Sequence, residues 1–162
     1  MKKALEYKGR RGRNPRRRGA AAMEMALALP VLLIMIMGLL ELGNMLFIRT
    51  TISKAAEFGA RYAVTGRGIE DGTRLAEIKA EARRLAEALG PERISVAVRS
   101  YRHYNVNTPA QEDDAGQPCE LVEVEVNCDY NPVTPFLAGA LPETMTFTGR
   151  KRMVNEPWMP CD

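Results

Sequence analysis

Apolar and polar positions divide this chain into a basic start, one long apolar run and a mixed remainder. Residues 1–18 have no apolar period, which predicts a disordered leader. An apolar run follows from Ala20 to about Phe47, and its 16-residue core from Met25 to Leu40 carries no charged residue. A helix of this run is ~42 Å long, against ~30 Å of hydrocarbon in a bilayer. The pattern therefore predicts one membrane-spanning helix over residues 20–47.

The charges predict how that helix is oriented. Residues 1–18 carry nine Lys or Arg and one Glu, whereas residues 19–162 carry 14 Lys or Arg and 19 Asp or Glu. Basic residues next to a membrane helix stay on the cytoplasmic side. We therefore expect a single-pass protein of the inner (cytoplasmic) membrane, with its N-terminus cytoplasmic and its C-terminal domain extracytoplasmic. The Arg run has no interleaved aromatic residues to stack on bases, so nucleic acid is not an expected partner.

A cleavable secretory signal is the competing interpretation of the same run. Such a signal has a shorter apolar stretch followed by a small-residue cleavage site. The segment from Leu42 to Leu46 continues the apolar run without a clean site of that kind. Retention of the helix is therefore favoured.

The helix is predicted to continue beyond the membrane to about Thr65–Gly66, because residues 49–64 contain no Pro. Small residues recur along it at helical spacing: Ala55, Ala56, Gly59, Ala60 and Ala63. Such a stripe permits close approach of another backbone, either of the protein's own domain or of a neighbouring helix. Packing within the subunit is the favoured alternative.

The remaining pattern predicts an α+β fold. A second helix is expected from Asp71–Thr73 to Leu89, where Gly90–Pro91 ends it. The apolar period then becomes two, which predicts strands over residues 94–99, 121–130 and 144–152, with a polar loop over 105–118 between the first two. In the second strand the valines share one face, and Glu123 and Glu125 lie on the other. The prediction is a small antiparallel sheet of about three strands packed against the two helices.

The three cysteines, Cys119, Cys128 and Cys161, lie on the predicted outer side, where one disulfide is permitted. Cys119 and Cys128 are nine residues apart along an extended segment, too far apart for a bridge. If a disulfide forms, Cys161 therefore pairs with one of them. We favour Cys119–Cys161 as the possible disulfide, because Cys128 lies on the apolar face of its strand.

No enzymatic chemistry is predicted: there are no candidate catalytic, cofactor-binding or metal-ligating residues. No nucleophile–base pair, phosphate loop or Cys-x-x-Cys pair is present. His103 is interpreted as a surface residue, and Glu112–Asp114 as a solvated loop without calcium-ligand spacing. The apolar connection from Pro132 to Pro142 is expected to pack under the sheet or to dock a partner.

One carboxylate, Glu24, stands at the threshold of the apolar helix, five residues after Gly19. A lone ionised Glu costs roughly 2.5 kcal/mol or more near the bilayer centre, and less near its edge. The stretch from Arg17 to Pro30 resembles the start of the TadE-like pseudopilins of tight-adherence (Tad/Flp) pilus systems. So do Glu41–Asn44 and Ala55–Ala63, and more weakly Tyr130–Leu137 and Thr146–Met153.

The resemblance implies a precursor that a prepilin peptidase cuts after Gly19, which leaves Ala20 as the new N-terminus and Glu24 as the fifth mature residue. The expected organisation is a basic leader (1–19), a transmembrane helix (20–47) and an extracytoplasmic pseudopilin domain (48–162). Glu24, Glu41 and Asn44 are expected helix–helix contacts in the membrane, although Glu41 and Asn44 could equally mark the outer interface.

The implied function is that of a minor pseudopilin for pilus assembly, adhesion and biofilm formation. The implied partners are the peptidase, other pseudopilins and pilus assembly platform proteins. The alternative is an unprocessed, signal-anchored domain that binds a ligand or acts as a sensor.

Overall fold

The computed structural model describes residues 15–102, 107, 109–134, 139 and 142–161, with the backbone alone for 15–18. Three predictions fall outside the described residues: the leader over residues 1–14, the surface position of His103, and the apolar side chains Phe136, Leu137 and Leu141.

The first helix, α1 (Pro15–Val64), has 50 residues and divides between two compact units, one up to Met37 and one from Gly38 onward. It begins before Ala20, so residues 15–18 are helical rather than part of the predicted disordered leader. Proline fits a first helical turn because its missing N–H is not needed there. The helix ends close to the predicted Thr65–Gly66, and Gly66 has a φ of +68°, which a side chain would disfavour.

In the first unit, residues 19–37 of α1 expose all of their side chains. The large apolar ones are Met23, Met25, Leu27, Leu29, Val31, Leu32, Leu33, Ile34, Met35, Ile36 and Met37. The helix is long and apolar enough to cross a membrane, with a mean hydropathy of 2.4 over its most apolar 18-residue window. A helix with apolar side chains on every face suits lipid better than water.

The second unit confirms the α+β fold class. Helix α2 (Arg74–Ala86) is followed by 3₁₀ turns at Glu87–Leu89 and Pro91–Arg93, so the predicted last turn of the helix is tighter than an α-helix. The strands are β1 (Ile94–Tyr101), β2 (Gln111–Glu112), β3 (Leu121–Tyr130) and β4 (Met145–Val154).

The sheet has the order β2-β1-β3-β4, and every neighbouring pair is antiparallel. It therefore has four strands rather than about three. The additional strand, β2, lies inside the predicted polar loop 105–118. Two residues are too few to show a hydrophobic period, so the sequence pattern does not predict this strand.

The core of the second unit lies between the sheet and the two helices. Ala55, Ala56, Ala60 and Ala63 of α1 are fully buried. They pack with Ile52, Ile78, Ala82, Val98, Val122, Val124 and Val126, among others. The small-residue stripe thus packs within the subunit, as the favoured alternative predicted.

Two glycines let backbones approach closely in this core. A Cβ at Gly59 of α1 would lie 2.9 Å from the Cβ of Ala82 in α2. A Cβ at Gly149 of β4 would lie 2.6 Å from the backbone carbonyl of Ile52. Real Cβ atoms do not approach other atoms this closely, so both positions require glycine for the observed packing.

Candidate functional site

The predicted processing residues Gly19, Ala20 and Glu24 lie in the first unit, in the N-terminal part of α1. All three are exposed, and a Cβ at Gly19 would meet no atom within 4 Å. Their surroundings therefore leave room for an enzyme or for a second helix. Cleavage after Gly19 stays a prediction.

Glu41, the second carboxylate of the apolar run, accepts hydrogen bonds from other residues of the second unit. Its side chain is buried, at 3% exposure. The Tyr130 hydroxyl donates to Oε1, the Val133 N–H donates to the same oxygen at 3.0 Å, and the Thr134 N–H donates to Oε2 at 3.1 Å. A buried carboxylate needs such donors, because an unpaired one loses its hydration without compensation.

These hydrogen bonds all lie within the subunit, and a contact of Glu41 with a neighbouring subunit stays a prediction. The end of β3 and the turn after it supply its donors, and no sequence pattern could place them beside a helix 89 residues earlier. Asn44 is half-buried and also interacts with the Tyr130 hydroxyl. Burial, together with the hydrogen bond to Glu41, raises the pKa of Tyr130 above its usual value.

The outer face of the sheet carries a network of ion pairs. Glu123 and Glu125 of β3 lie on the strand face opposite the valines, as predicted, and they are only 1% and 8% exposed. Arg99 of β1 donates to Glu125 at 2.9 Å and to Glu123 at 3.3 Å, and its Nε donates to Glu112 of β2 at 2.8 Å. The carboxylates of Glu123 and Glu125 are buried because long Arg side chains cover them.

Strand β4 completes this network from the other side. Arg150 donates to Glu125 at 2.5 Å, and Arg152 donates to Glu123. The Arg152 guanidinium also lies 5.6 Å from the centre of the Tyr101 ring, a cation–π distance.

The charges in the network stabilise each other's ionised forms. Burial would raise the pKa of Glu125, but hydrogen bonds from Asn127, Arg99 and Arg150 outweigh it and hold that pKa below its usual value. Hydrogen bonds to Glu112 and Glu125 raise the pKa of Arg99. Both shifts favour the charged forms of Glu125 and Arg99.

A second unpredicted feature is the buried Arg74 in the first turn of α2. Its guanidinium donates to the carbonyl oxygens of Gly116 at 2.5 Å, Ala63 at 2.9 Å and Ala115 at 3.1 Å, and lies 4.8 Å from the centre of the Trp158 ring. Burial lowers the pKa of Arg74, and the nearby Asp114 opposes this effect. The helix dipole disfavours a cation in the first turn of a helix. The position of Arg74 is therefore a weak sequence signal that this residue has a structural role.

Trp158 belongs to a C-terminal segment that closes over this part of the domain. The Glu156 N–H donates to the Val64 carbonyl at the end of α1, at 3.0 Å. Cys119 and Cys161 form a disulfide with their Cα atoms 5.9 Å apart, and Cys128 is a buried free thiol. Oxidation of this pair in the cell stays a prediction, which peptide mass mapping of the unreduced protein would test.

The described parts of the chain contain no group of three or more His, Cys, Asp or Glu side chains placed to hold a metal ion. The polar side chains that the fold brings together are instead paired with one another across the sheet.

Comparison with known proteins gives a match for the N-terminal part of the chain. Residues 19–61 match the family model described as TadE-like protein, which confirms the resemblance over that segment. No match was found among curated proteins or among solved structures. The matched segment begins at the predicted scissile glycine and ends within the buried small-residue stripe, and it associates the chain with pseudopilin-like proteins of tight-adherence pili.

Proposed function

We propose that this protein is a minor pseudopilin of a tight-adherence pilus system, inserted in the inner membrane through the N-terminal part of α1. The observation that carries the proposal is the TadE-like match over residues 19–61, on a helix that is apolar and exposed at one end and buried in a folded domain at the other. Such a helix can anchor the subunit in lipid and pack laterally against other subunits, while the folded domain selects partners.

Processing after Gly19 is part of this proposal. Cleavage would remove the basic leader and leave Ala20 as a free amine four residues before Glu24. Where such helices associate, the Glu24 carboxylate could pair with a free N-terminal amine. This pairing would offset the free-energy cost of placing an ionised carboxylate in lipid. The exposure of Gly19, Ala20 and Glu24 is consistent with access by a membrane peptidase and by a second helix.

The contacts of Glu41 refine the proposed membrane span. Because Glu41 binds Tyr130 and the backbone after β3, the polar domain reaches back to residue 41. We therefore place the outer end of the hydrocarbon span near Leu40 rather than Phe47. Residues 20–40 then give a helix of about 31 Å. This length is closer to the ~30 Å of hydrocarbon in a bilayer than the ~42 Å of a helix over residues 20–47.

The test is the intact mass and N-terminal sequence of the protein extracted from membranes, with and without a co-expressed prepilin peptidase. We expect a peptidase-dependent start at Ala20, abolished by Glu24→Ala or Gly19→Ala. Gly38→Ala is the matched control, since Gly38 lies in the same helix and also has no atom within 4 Å of a Cβ.

A chain that begins at Met1 under both conditions would contradict processing and favour the unprocessed, signal-anchored sensor or ligand-binding domain. A start near residue 45 would instead show a secreted protein, and the membrane anchor itself would then be wrong.

A further inference from the structure

The ion pairs on the outer face of the sheet form columns whose sign alternates from strand to strand. The acidic column on β2 is Glu112, and the basic column on β1 is Arg99. Next come the acidic column of Glu123 and Glu125 on β3 and the basic column of Arg150 and Arg152 on β4. The sheet therefore ends in an acidic edge at β2 and a basic edge at β4.

Both edge columns retain charge that is open to solvent. The side chains of Arg150 and Arg152 are 49% and 41% exposed. Lys151 between them is exposed too, but it lies on the opposite face of the strand, in register with Val124. At the opposite edge, the side chain of Glu112 is 65% exposed. The next residue, Asp113, follows the end of β2, is 71% exposed and pairs with Lys79 at 2.6 Å. Each inner column is enclosed by opposite charge on both sides, whereas each edge column is enclosed on one side only.

Strand directions make the two edges compatible with each other. In an antiparallel sheet with an even number of strands, the two edge strands run in opposite directions. The β4 edge of one copy and the β2 edge of a copy in the same orientation would therefore meet as an antiparallel pair. Such a contact would continue the alternation of charge with an acidic column beside Arg150 and Arg152.

The alternative pairings bring like charges together. A two-fold axis would join β4 to β4, which places Arg150 and Arg152 beside their equivalents, or β2 to β2, which places Glu112 beside its equivalent. Like charges directly opposite each other on neighbouring strands destabilise the pair. An exposed basic edge also discourages pairing with apolar strands, since edge charges are a common protection against aggregation.

We propose that the basic β4 edge of one subunit binds the acidic β2 edge of a second copy of this chain, head to tail. This contact is heterologous, so it leaves an acidic edge and a basic edge free at the ends and can add further copies. The inference deepens the proposed function, on which it rests, by naming the partner surface of the folded domain. With a two-residue β2 the contact is weak in solution, but anchoring in one membrane raises the effective concentration of the copies.

The test uses cysteine crosslinking of the full-length protein in its membrane, in a Cys128→Ala background. Gln111→Cys marks the β2 edge and Lys151→Cys marks the β4 edge, and both positions are exposed and lie on the same sheet face. Within one subunit, β2 and β4 are separated by three inter-strand distances, which is roughly 14 Å. A bismaleimide with a shorter reach can therefore join them only between copies.

The expected result is a ladder of dimers, trimers and larger species from the double-cysteine protein. Co-expression of the two single-cysteine proteins should stop at dimers. Addition of Glu112→Lys to the double-cysteine protein should reduce the ladder about tenfold or more, because like charges then face each other. Arg99 keeps Glu125 and Glu123 as partners in that variant, so the fold should persist. Glu70→Lys makes the same charge change at an exposed residue outside the sheet and should leave the ladder intact.

Three outcomes would overturn the proposal. They are the absence of a ladder, equal dimer yields from each single-cysteine protein alone, and crosslinks only to a different membrane protein. The N-terminal mass measured on the same sample separates this inference from the proposed function. A chain cut after Gly19 without a ladder refutes the edge contact alone, whereas a ladder from an uncut chain refutes the pseudopilin assignment alone.

Discussion

The two stretches of α1 use apolar residues in different ways. Residues 23–37 are rich in Leu, Met and Ile, whose side chains point outward on every face of the helix. Residues 52–63 instead bury Ile52 and a series of alanines against α2 and the sheet. Large flexible side chains fill a fluid surrounding such as lipid, whereas small ones allow backbones to come close. Side-chain size, rather than hydropathy alone, therefore distinguishes the anchor from the core.

The largest effect is expected from Gly149→Val, which puts a side chain against the backbone of Ile52. We expect a loss of about 3 kcal/mol or more in the free energy of unfolding of the second unit. The single tryptophan, Trp158, packs on Gly66, so its fluorescence reports this unfolding in detergent micelles. Gly43→Val, at an open position on α1, is the control and should leave the transition unchanged.

A single type of substitution made in both stretches tests the comparison directly. Ile52→Ala removes a fully buried side chain and should cost about 2–5 kcal/mol of unfolding free energy. Ile36 is 45% exposed, and Ile36→Ala should leave the Trp158 transition in place. If Ile36→Ala lowered the stability of the domain as much as Ile52→Ala, the division of α1 into anchor and core would be wrong.

Two carboxylates of α1, Glu41 and Glu24, are expected to differ in their effect on stability, by a smaller amount. Glu41→Gln weakens the bonds from Tyr130, Val133 and Thr134, and should cost about 1–3 kcal/mol in chemical unfolding. Glu24→Gln removes an exposed carboxylate of the first unit and should leave this transition unchanged. Equal losses from both variants would contradict the assignment of Glu41 to the folded domain and Glu24 to the anchor.

The smallest expected effect is a dependence on pH confined to the second unit. The pKa of Glu125 lies below its ordinary value when folded, so its stabilising contribution is complete above the unfolded pKa, which is about 4.3. The contribution is lost as pH falls through the lower folded pKa. Thermal midpoints should therefore fall as pH drops below about 4.3, and less steeply in Glu125→Gln. An unchanged slope in that variant would assign the acid sensitivity to other carboxylates.

Many helices and strands were predictable because the hydrophobic pattern that indicates each one lies within a single segment of the chain. The apolar run predicted the long helix, and the alternation of Val and Glu predicted β3 with its bounds. The stripe from Ala55 to Ala63 predicted close packing. It left the partner open between this domain and a neighbouring helix, because a small residue permits an approach without specifying what approaches.

Other features depended on residues far apart in the chain. Strand β2 is too short to carry a period, and its pairing with Arg99 comes from the sheet register. Glu123 and Glu125 have the expected face but are buried, since Arg150 and Arg152 lie beside them only once β3 and β4 pair. Arg74 is a surface-type residue by sequence, yet it is buried beneath Trp158.

The sequence by itself determined the apolar helix, the basic start, the order of helices and strands, and the family resemblance at the N-terminus. All of these arise from composition and from periods of two or 3.6 residues, which each segment carries alone. Only the tertiary structure decided that Glu41 belongs to the folded domain and that the sheet ends in one acidic and one basic edge. Those features arise because folding brings distant charges within a few ångströms, where desolvation requires each to find a partner.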